Sequence, residues 1–347
     1  MTPASRFAAR AVRAGRKKRD PWGKEARPSM ERCRYISCSG GGTKGVLYLG
    51  MYKAFLDHFA KRTGRTFDEY LNGMVGFAGT SIGSLFALAL YLRLSYDVLL
   101  DIARPRFSNM QSLIPHFDIS LFIRELGVDE GSELRRFIQT VMRIGGVHVD
   151  ATFSDLFRLL KRSFVCVATD AHTGQAVYFS EERTPDVRVL DAVYMSMCVP
   201  FLLKPICHGA HYCVDGSLSD HVPLCFPREE TLHLCFARPS SRSWTIETPI
   251  DYFASIFFLS VDRPREFSAP HSVRLSMPTE LLNANSLDLS VSETDARVRF
   301  LCGYYSGLAH LYPDFMSTML ALIQFVYSLA IEDIRWREMY AEESAAC

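Results

Sequence analysis

The chain has 347 residues, 48% of them hydrophobic, enough for one large domain or a domain with an appendage and ample for a buried core. Its net charge of +1 hides an asymmetry: residues 1–30 carry nine Lys/Arg against Asp20 and Glu25, while the remaining residues carry 30 basic and 36 acidic groups. Ten cysteines lie scattered, mostly in apolar runs such as Phe164-Val165-Cys166-Val167, which excludes a secreted disulfide framework and fits a reducing compartment.

Residues 1–31 mix basic residues with Ala, Gly, Pro and Ser and show no apolar face, so they read as a disordered basic tail. Such a tail attracts anionic lipid head groups, nucleic acid or an import receptor. It lacks the apolar core of a signal peptide, although its Arg-rich, acid-poor make-up also fits a transit peptide.

Tyr35 to Ser39 reads as the first strand and runs straight into Gly40-Gly41-Gly42-Thr43-Lys44-Gly45. Val46 to Ala60 then carries apolar residues at helical spacing. Met74 to Ala78 is a second short apolar strand, followed by Gly79-Thr80-Ser81-Ile82-Gly83 and an apolar helix to Leu92. Two strands that alternate with helices are the start of a parallel sheet. Residues 95–160 read as mostly helical, with breaks at Pro105, Pro115, Gly127 and Gly145-Gly146, and Thr152 to Asp155 opens one helix with a cap. Arg162 to Thr169 is a third strand, paired as a hairpin with Ala176 to Phe179 across a turn containing Asp170, His172 and Gly174. A helix from Val187 to Cys198 stops at Val199-Pro200-Phe201. Two short strands follow, around Lys204–Cys207 and His211–Val214, and then Asp215-Gly216-Ser217. Thr231 to Phe236 is the expected last strand of the sheet, and residues 248–341 read as largely helical. Within them, Phe315 to Ile331 is 17 residues without a charge; its four polar residues favour a buried or surface-seeking helix over a membrane span. No internal repeat is visible.

The chemistry concentrates in two loops. Strand, sharp turn and helix is the context that makes the serine of G-x-S-x-G a nucleophile; the plainer alternative is a turn with Ser81 as a helix N-cap. Gly79 and Gly83 remove side chains that would clash there, and the helix start favours a developing anion. Gly40 to Gly45 matches the dinucleotide fingerprint G-x-G-x-x-G, but the next strand ends without the acid that would bind a ribose, and no Gly-Lys-Ser/Thr makes it a phosphate loop. Acyl transfer uses both loops: Ser81 attacks an ester carbonyl and amides of the glycine loop meet the oxyanion. The serine needs a base. A Ser…Asp…His order would draw on His208, His211, His221, His233, His271 or His310, none in a strong local context; Asp215-Gly216 ends an apolar strand, or is an ordinary turn aspartate. Cys207-His208-Gly209-Ala210-His211-Tyr212-Cys213 has zinc-binding residue types, but its spacing matches no standard site, and no metal or cofactor is expected.

Gly40 to Gly45, Gly79-Thr80-Ser81-Ile82-Gly83 and Asp215-Gly216-Ser217, in that order, resemble the three motifs of the patatin-like phospholipase family. Asp191 to Phe201 resembles that family's approach to the aspartate, so the likeness covers about residues 32–230. The resemblance implies an α/β fold of three α/β/α layers around a mainly parallel central sheet, here with a helical C-terminal extension over 231–347. It implies a Ser–Asp dyad without histidine: Ser81 as nucleophile, Asp215 as base, Gly40, Gly41, Gly42, Thr43, Lys44 and Gly45 as the oxyanion loop, and Gly79, Gly83 and Gly216 in support. The implied activity is calcium-independent hydrolysis of phospholipids, lysophospholipids or acylglycerols. Ser217 departs from the Gly or Ala the family carries there, and a hydroxyl at that position is expected to bond Asp215 and alter its basicity.

A lipid substrate calls for an apolar groove, for which Phe107, Met110, Leu113, Ile114, Phe117, Ile119, Leu121 and Phe122 offer a mobile cap or, alternatively, plain core. The expected partners are a phospholipid or acylglycerol and a membrane or lipid-droplet surface touched peripherally by an intracellular, cytoplasmic protein, with nucleic acid disfavoured. The competing readings are a lipid transacylase, an inactive lipid- or nucleic-acid-associated protein, and a dinucleotide binder.

Overall fold

The computed structural model describes residues 30–107, 118–237, 246, 252, 255–257, 269–277 and 293–312, leaving out the side chains of Arg62, Arg106 and Phe107. The readings made for residues 1–29, 108–117 and 315–331 lie outside the described residues.

The strands are β1 (Tyr35–Cys38), β2 (Gly76–Thr80), β3 (Gly127–Asp129), β4 (Ser163–Asp170), β5 (Ala176–Phe179), β6 (Phe201–Leu203), β7 (Ile206–His208), β8 (His211–Asp215), β9 (Thr231–Phe236) and β10 (Ser272–Leu275). The helices are α1 (Val46–His58), α2 (Phe67–Asn72), α3 (Ile82–Tyr91), α4 (Tyr96–Phe107), α5 (Ile119–Glu125), α6 (Ser132–Ile144), α7 (Phe153–Leu160), α8 (Val189–Met197) and α9 (Glu293–Leu311). The order β10-β9-β1-β2-β4 is parallel throughout, and β5, β7 and β8 add antiparallel pairs, so the architecture is α/β around a mostly parallel central sheet. β3 and β6 form a separate two-stranded ribbon.

The parallel strands read as near-continuous apolar runs because helices cover them. Phe77, Phe164, Phe179, Ile36 and Leu232 are all buried, each large side chain contributing roughly 1.5–3 kcal/mol. Local chemistry sets the helix starts. Thr152 and Asp155 exchange side-chain and backbone bonds at the head of α7, and Thr66 and Glu69 do the same for α2.

Two elements depart from the sequence pattern. Ser272–Leu275 pairs with β9 as one more strand, inside a region read as helical; Val273 and Leu275 face in and Arg274 out, an alternation only four residues long. Pro105 does not break a helix but lies near the end of α4, where its missing N–H costs a single bond.

One feature of the topology makes the site. β2 pairs with β4 up to Thr80↔Val167, and β8 pairs with β4 from Ala168↔Asp215 onward. β5 pairs with Cys166 to Thr169, overlapping both partners, and so takes the other edge of β4. β2 and β8 therefore share one edge and approach end to end from opposite directions. The end of each strand is the start of a motif: Ser81 after β2 and Asp215 closing β8.

Candidate active site

Ser81 sits in the turn between β2 and α3 with φ +53° and ψ −132°, a conformation that costs a non-glycine residue about 1–3 kcal/mol. The strain persists because the turn is clamped. A Cβ on Gly79 would run into the backbone of Gly83 and Ser84, and one on Gly83 into the carbonyls of Cys38 and Ser39 at the end of β1. Ser84 closes the turn from the other side, its N–H and hydroxyl both donating to the Ser81 carbonyl (2.8 and 2.6 Å).

The Ser81 hydroxyl donates to Asp215 Oδ2 at 2.6 Å, with no imidazole between them. Both residues are buried, at 6% and 1% exposure. Asp215 Oδ1 accepts the Ser217 N–H at 2.8 Å. Burial pushes the Asp215 carboxyl up to about 6, and hydrogen bonds from Ser81 and Ser217 draw it part of the way back. A carboxylate tuned this way is ionised at neutral pH yet basic enough to accept a proton from a hydroxyl. Gly216 lets the chain leave β8 across the Val167 carbonyl, which a Cβ would strike.

The glycine loop lies against this pair. A Cβ on Gly40 would collide with Ser217 Oγ and come within 3.3 Å of Ser81 Cβ. Gly42 has φ +55° and opens a 3-10 turn, Gly42–Gly45, that leads into α1. The Gly40 N–H donates to the His221 carbonyl and that of Lys44 to the Gly41 carbonyl. Among the described residues the N–H groups of Gly41 and Gly42 have no acceptor, the condition an oxyanion site requires. Thr43 and Lys44 are buried in the turn, and Gly45 packs on Ile82, the residue after Ser81.

The backbone N–H of Ser81 is not one of the helix-start amides open to an anion. That N–H donates to Ser196 Oγ (2.8 Å), and Ser196 in turn donates to the Val167 carbonyl (2.5 Å). Two residues on, the Cys198 carbonyl accepts the Asp215 N–H at 2.8 Å. One helix end thus holds both members of the pair. A lone serine in the apolar run Val189–Met197 was the signal for it.

None of the histidines considered as bases stands between Ser81 and Asp215, although the His221 carbonyl borders the glycine loop. His233 is buried in β9, and burial lowers it to about 4, so it is neutral. His211 Nδ1 lies 2.7 Å from Asp170 Oδ2, and its ring stacks on His172 with centroids 4.7 Å apart. Asp170, His172 and His211 are the group able to hold a metal among the described residues, and of the Cys207–Cys213 stretch only His211 belongs to it. The carboxylate already has protein partners: Oδ1 takes the His172 N–H at 2.8 Å and Oδ2 the His211 ring.

Of the cap residues, Met110, Leu113, Ile114 and Phe117 lie outside the described residues, as does the Phe107 side chain. Ile119 is exposed, and Phe122 stands 5.8 Å from Phe201, ring centre to ring centre. A small apolar cavity of about 50 Å³ opens instead between α1, α3, α4 and α6, beside Gly45, Ile82, Phe86, Leu99 and Phe137.

A family model described as patatin-like phospholipase matches residues 36–225. The chain is 24% identical over 234 residues to uncharacterized protein R571 of Acanthamoeba polyphaga mimivirus, covering 65% of this chain and 73% of that protein. It is 21% identical over 188 residues to probable lipid hydrolase 463L of Invertebrate iridescent virus 6, covering 54% of this chain and 60% of that one. Among solved structures, VipD from Legionella pneumophila matches with a TM-score of 0.48 and 13% identity, over 85% of this chain and 69% of VipD. The type III effector protein ExoU matches with a TM-score of 0.43 and 15% identity, over 81% of this chain and 53% of ExoU.

Proposed function

This chain belongs to the patatin-like phospholipase family, and on that premise we propose that it is a calcium-independent serine lipid acyl hydrolase working through a Ser81–Asp215 dyad. The observation that carries the reading is the 2.6 Å bond from the Ser81 hydroxyl to Asp215 Oδ2, in a turn held from every side. Asp215 takes the hydroxyl proton as Ser81 Oγ attacks the ester carbonyl. The amides of Gly41 and Gly42 receive the charge that develops on the carbonyl oxygen, where fixed donors are worth most. Asp215 returns the proton to the departing alcohol or lysolipid. Water, deprotonated by the same carboxylate, then attacks the acyl-serine, and Asp215 hands that proton to the departing Ser81 Oγ as the acid is freed.

The cavity beside Ile82 and Gly45 is apolar, but at about 50 Å³ it is far smaller than an acyl chain, so the acyl substrate rests on the dyad and the family and not on this cavity. Exposed Ile119 and Ile123, one turn apart on α5, and exposed Phe201 nearby support peripheral contact with a lipid surface. No helix among the described residues is long and apolar enough to cross a membrane. The test is release of fatty acid from phospholipid and acylglycerol vesicles by the wild-type protein and by Ser81→Ala, in EDTA and in calcium. The reading expects release that is unchanged by EDTA and absent in Ser81→Ala. Release by Ser81→Ala at the wild-type rate would reject it, and transfer of the acyl group to an added lysolipid in place of water would make the protein a transacylase.

A further inference from the structure

α9 lies beyond the segment that the family model matches, yet it touches the glycine loop. It runs alongside α1 in the same direction: Leu47 meets Gly303, Ala54 meets Gly307, and His58 Nδ1 lies 2.9 Å from the Tyr312 hydroxyl. The approach is as close as two backbones allow. A Cβ on Gly50 would strike the Phe300 carbonyl, one on Gly303 the Leu47 carbonyl, and one on Gly307 would lie 2.9 Å from Ala54 Cβ. Tyr304 donates to Asp57 Oδ2 at 2.8 Å, and the Ser276 N–H donates to Ser306 Oγ at 3.1 Å, so the helix is fixed in rotation as well as in depth. Arg299 stands one turn before Gly303 on the same face. That spacing aims it past the start of α1, at the loop before it. Its Nη1 donates to Thr43 Oγ1 at 2.6 Å, and the two residues are 3% and 2% exposed.

We propose that Arg299 is a positioning residue for the oxyanion loop, holding the Gly42–Gly45 turn through Thr43 so that the Gly41 and Gly42 amides keep the orientation that the acyl-transfer reading requires of them. The claim rests on the acyl-transfer reading above and makes the C-terminal helix part of the catalytic unit. A charge-assisted bond from a guanidinium is short and directional, and the rigid helix pair sets where it ends. The loop amides act on charge that exists only in the transition state, so loosening them lowers kcat and leaves KM alone.

The experiment uses the full chain, a soluble p-nitrophenyl acyl ester, and a fluorophosphonate probe that labels an activated serine. Thr43→Val keeps the side-chain shape and removes the hydroxyl. It is expected to lower kcat about tenfold to a hundredfold with KM within about twofold. Thr43→Ser, which restores the hydroxyl, is expected to recover most of that loss. Arg299→Lys combined with Thr43→Val is expected to be no slower than Thr43→Val alone, because both act through one bond. Thermal unfolding of each variant checks that the fold persists, and Arg299→Lys carries the test should Thr43→Val fail to fold. A kcat within twofold of wild type in the bond-breaking variants, or additive losses in the double variant, overturns the proposal while wild-type activity keeps the acyl-transfer reading standing. Wild-type protein that neither hydrolyses the ester nor takes up the probe overturns that reading, and the role of Arg299 with it.

Discussion

Asp215 and Asp170 lie on the same antiparallel strand pair, two register positions apart, Asp215 opposite Ala168 and Asp170 opposite Cys213. Their chemistry diverges. Asp215 is enclosed, and burial raises its pKa to about 6. At Asp170 burial also works upward, but the His211 ring and the His172 amide overcome it and hold the carboxyl well below the usual range. Burial wins over hydrogen bonds at Asp215 and hydrogen bonds win over burial at Asp170, which decides which carboxylate is basic. The enclosed one faces a hydroxyl, and the rim one faces imidazoles.

The sharpest way to break this contrast is at Ser81. In the proposed mechanism Ser81→Ala and Ser81→Gly lose activity by at least about a thousandfold. Ser81→Gly should also be more stable than wild type by about 1–3 kcal/mol, because glycine adopts φ +53° without strain. Calorimetry that shows Ser81→Gly no more stable would remove the strain argument. Asp215→Asn comes next, with a loss of roughly a thousandfold in kcat/KM. Its stability should follow pH in a distinctive way. The raised pKa of Asp215 means that the wild-type fold favours the protonated carboxyl, so stability is lost as pH climbs from about 4 through about 6. Asparagine escapes that loss. Asp215→Asn should therefore melt higher than wild type above pH 6, by a margin that closes below pH 4. Wild-type kcat/KM should rise about tenfold per pH unit up to about 6 and then level off.

Ser196→Ala leaves the Ser81 amide buried without its acceptor, which costs about 1–3 kcal/mol, and should slow turnover about tenfold to a hundredfold. Unchanged kinetics there would show that the turn keeps its shape unaided. The smallest effect belongs to the rim: Asp170→Asn should keep kcat/KM within about twofold while removing the partner of His211. A large loss would erase the distinction between the two aspartates.

Much of this was legible in the chain. Gly79, Gly83, Gly216 and Gly40 mark places where backbone or side chain passes too close for a Cβ, and such demands leave a glycine in the sequence itself. The β-α-β-α beginning follows from apolar runs of strand and helix length. Other parts depend on contacts between distant segments. Ser196 lies 115 residues from Ser81, and Arg299 lies 256 from Thr43, so no local pattern links either pair. The end-to-end meeting of β2 and β8 on one edge of β4 belongs to the same class. It depends on which edge β5 occupies, a choice that no single strand records.

The most direct test of the central claim measures how fast a fluorophosphonate probe attaches to Ser81 in wild-type protein and in Asp215→Asn, read by intact mass and peptide mapping. The account predicts one adduct on Ser81 in wild type, forming faster as pH rises to about 6, and labelling slowed at least about a hundredfold in Asp215→Asn. Equal labelling rates in the two proteins, or an adduct on another residue, would contradict it.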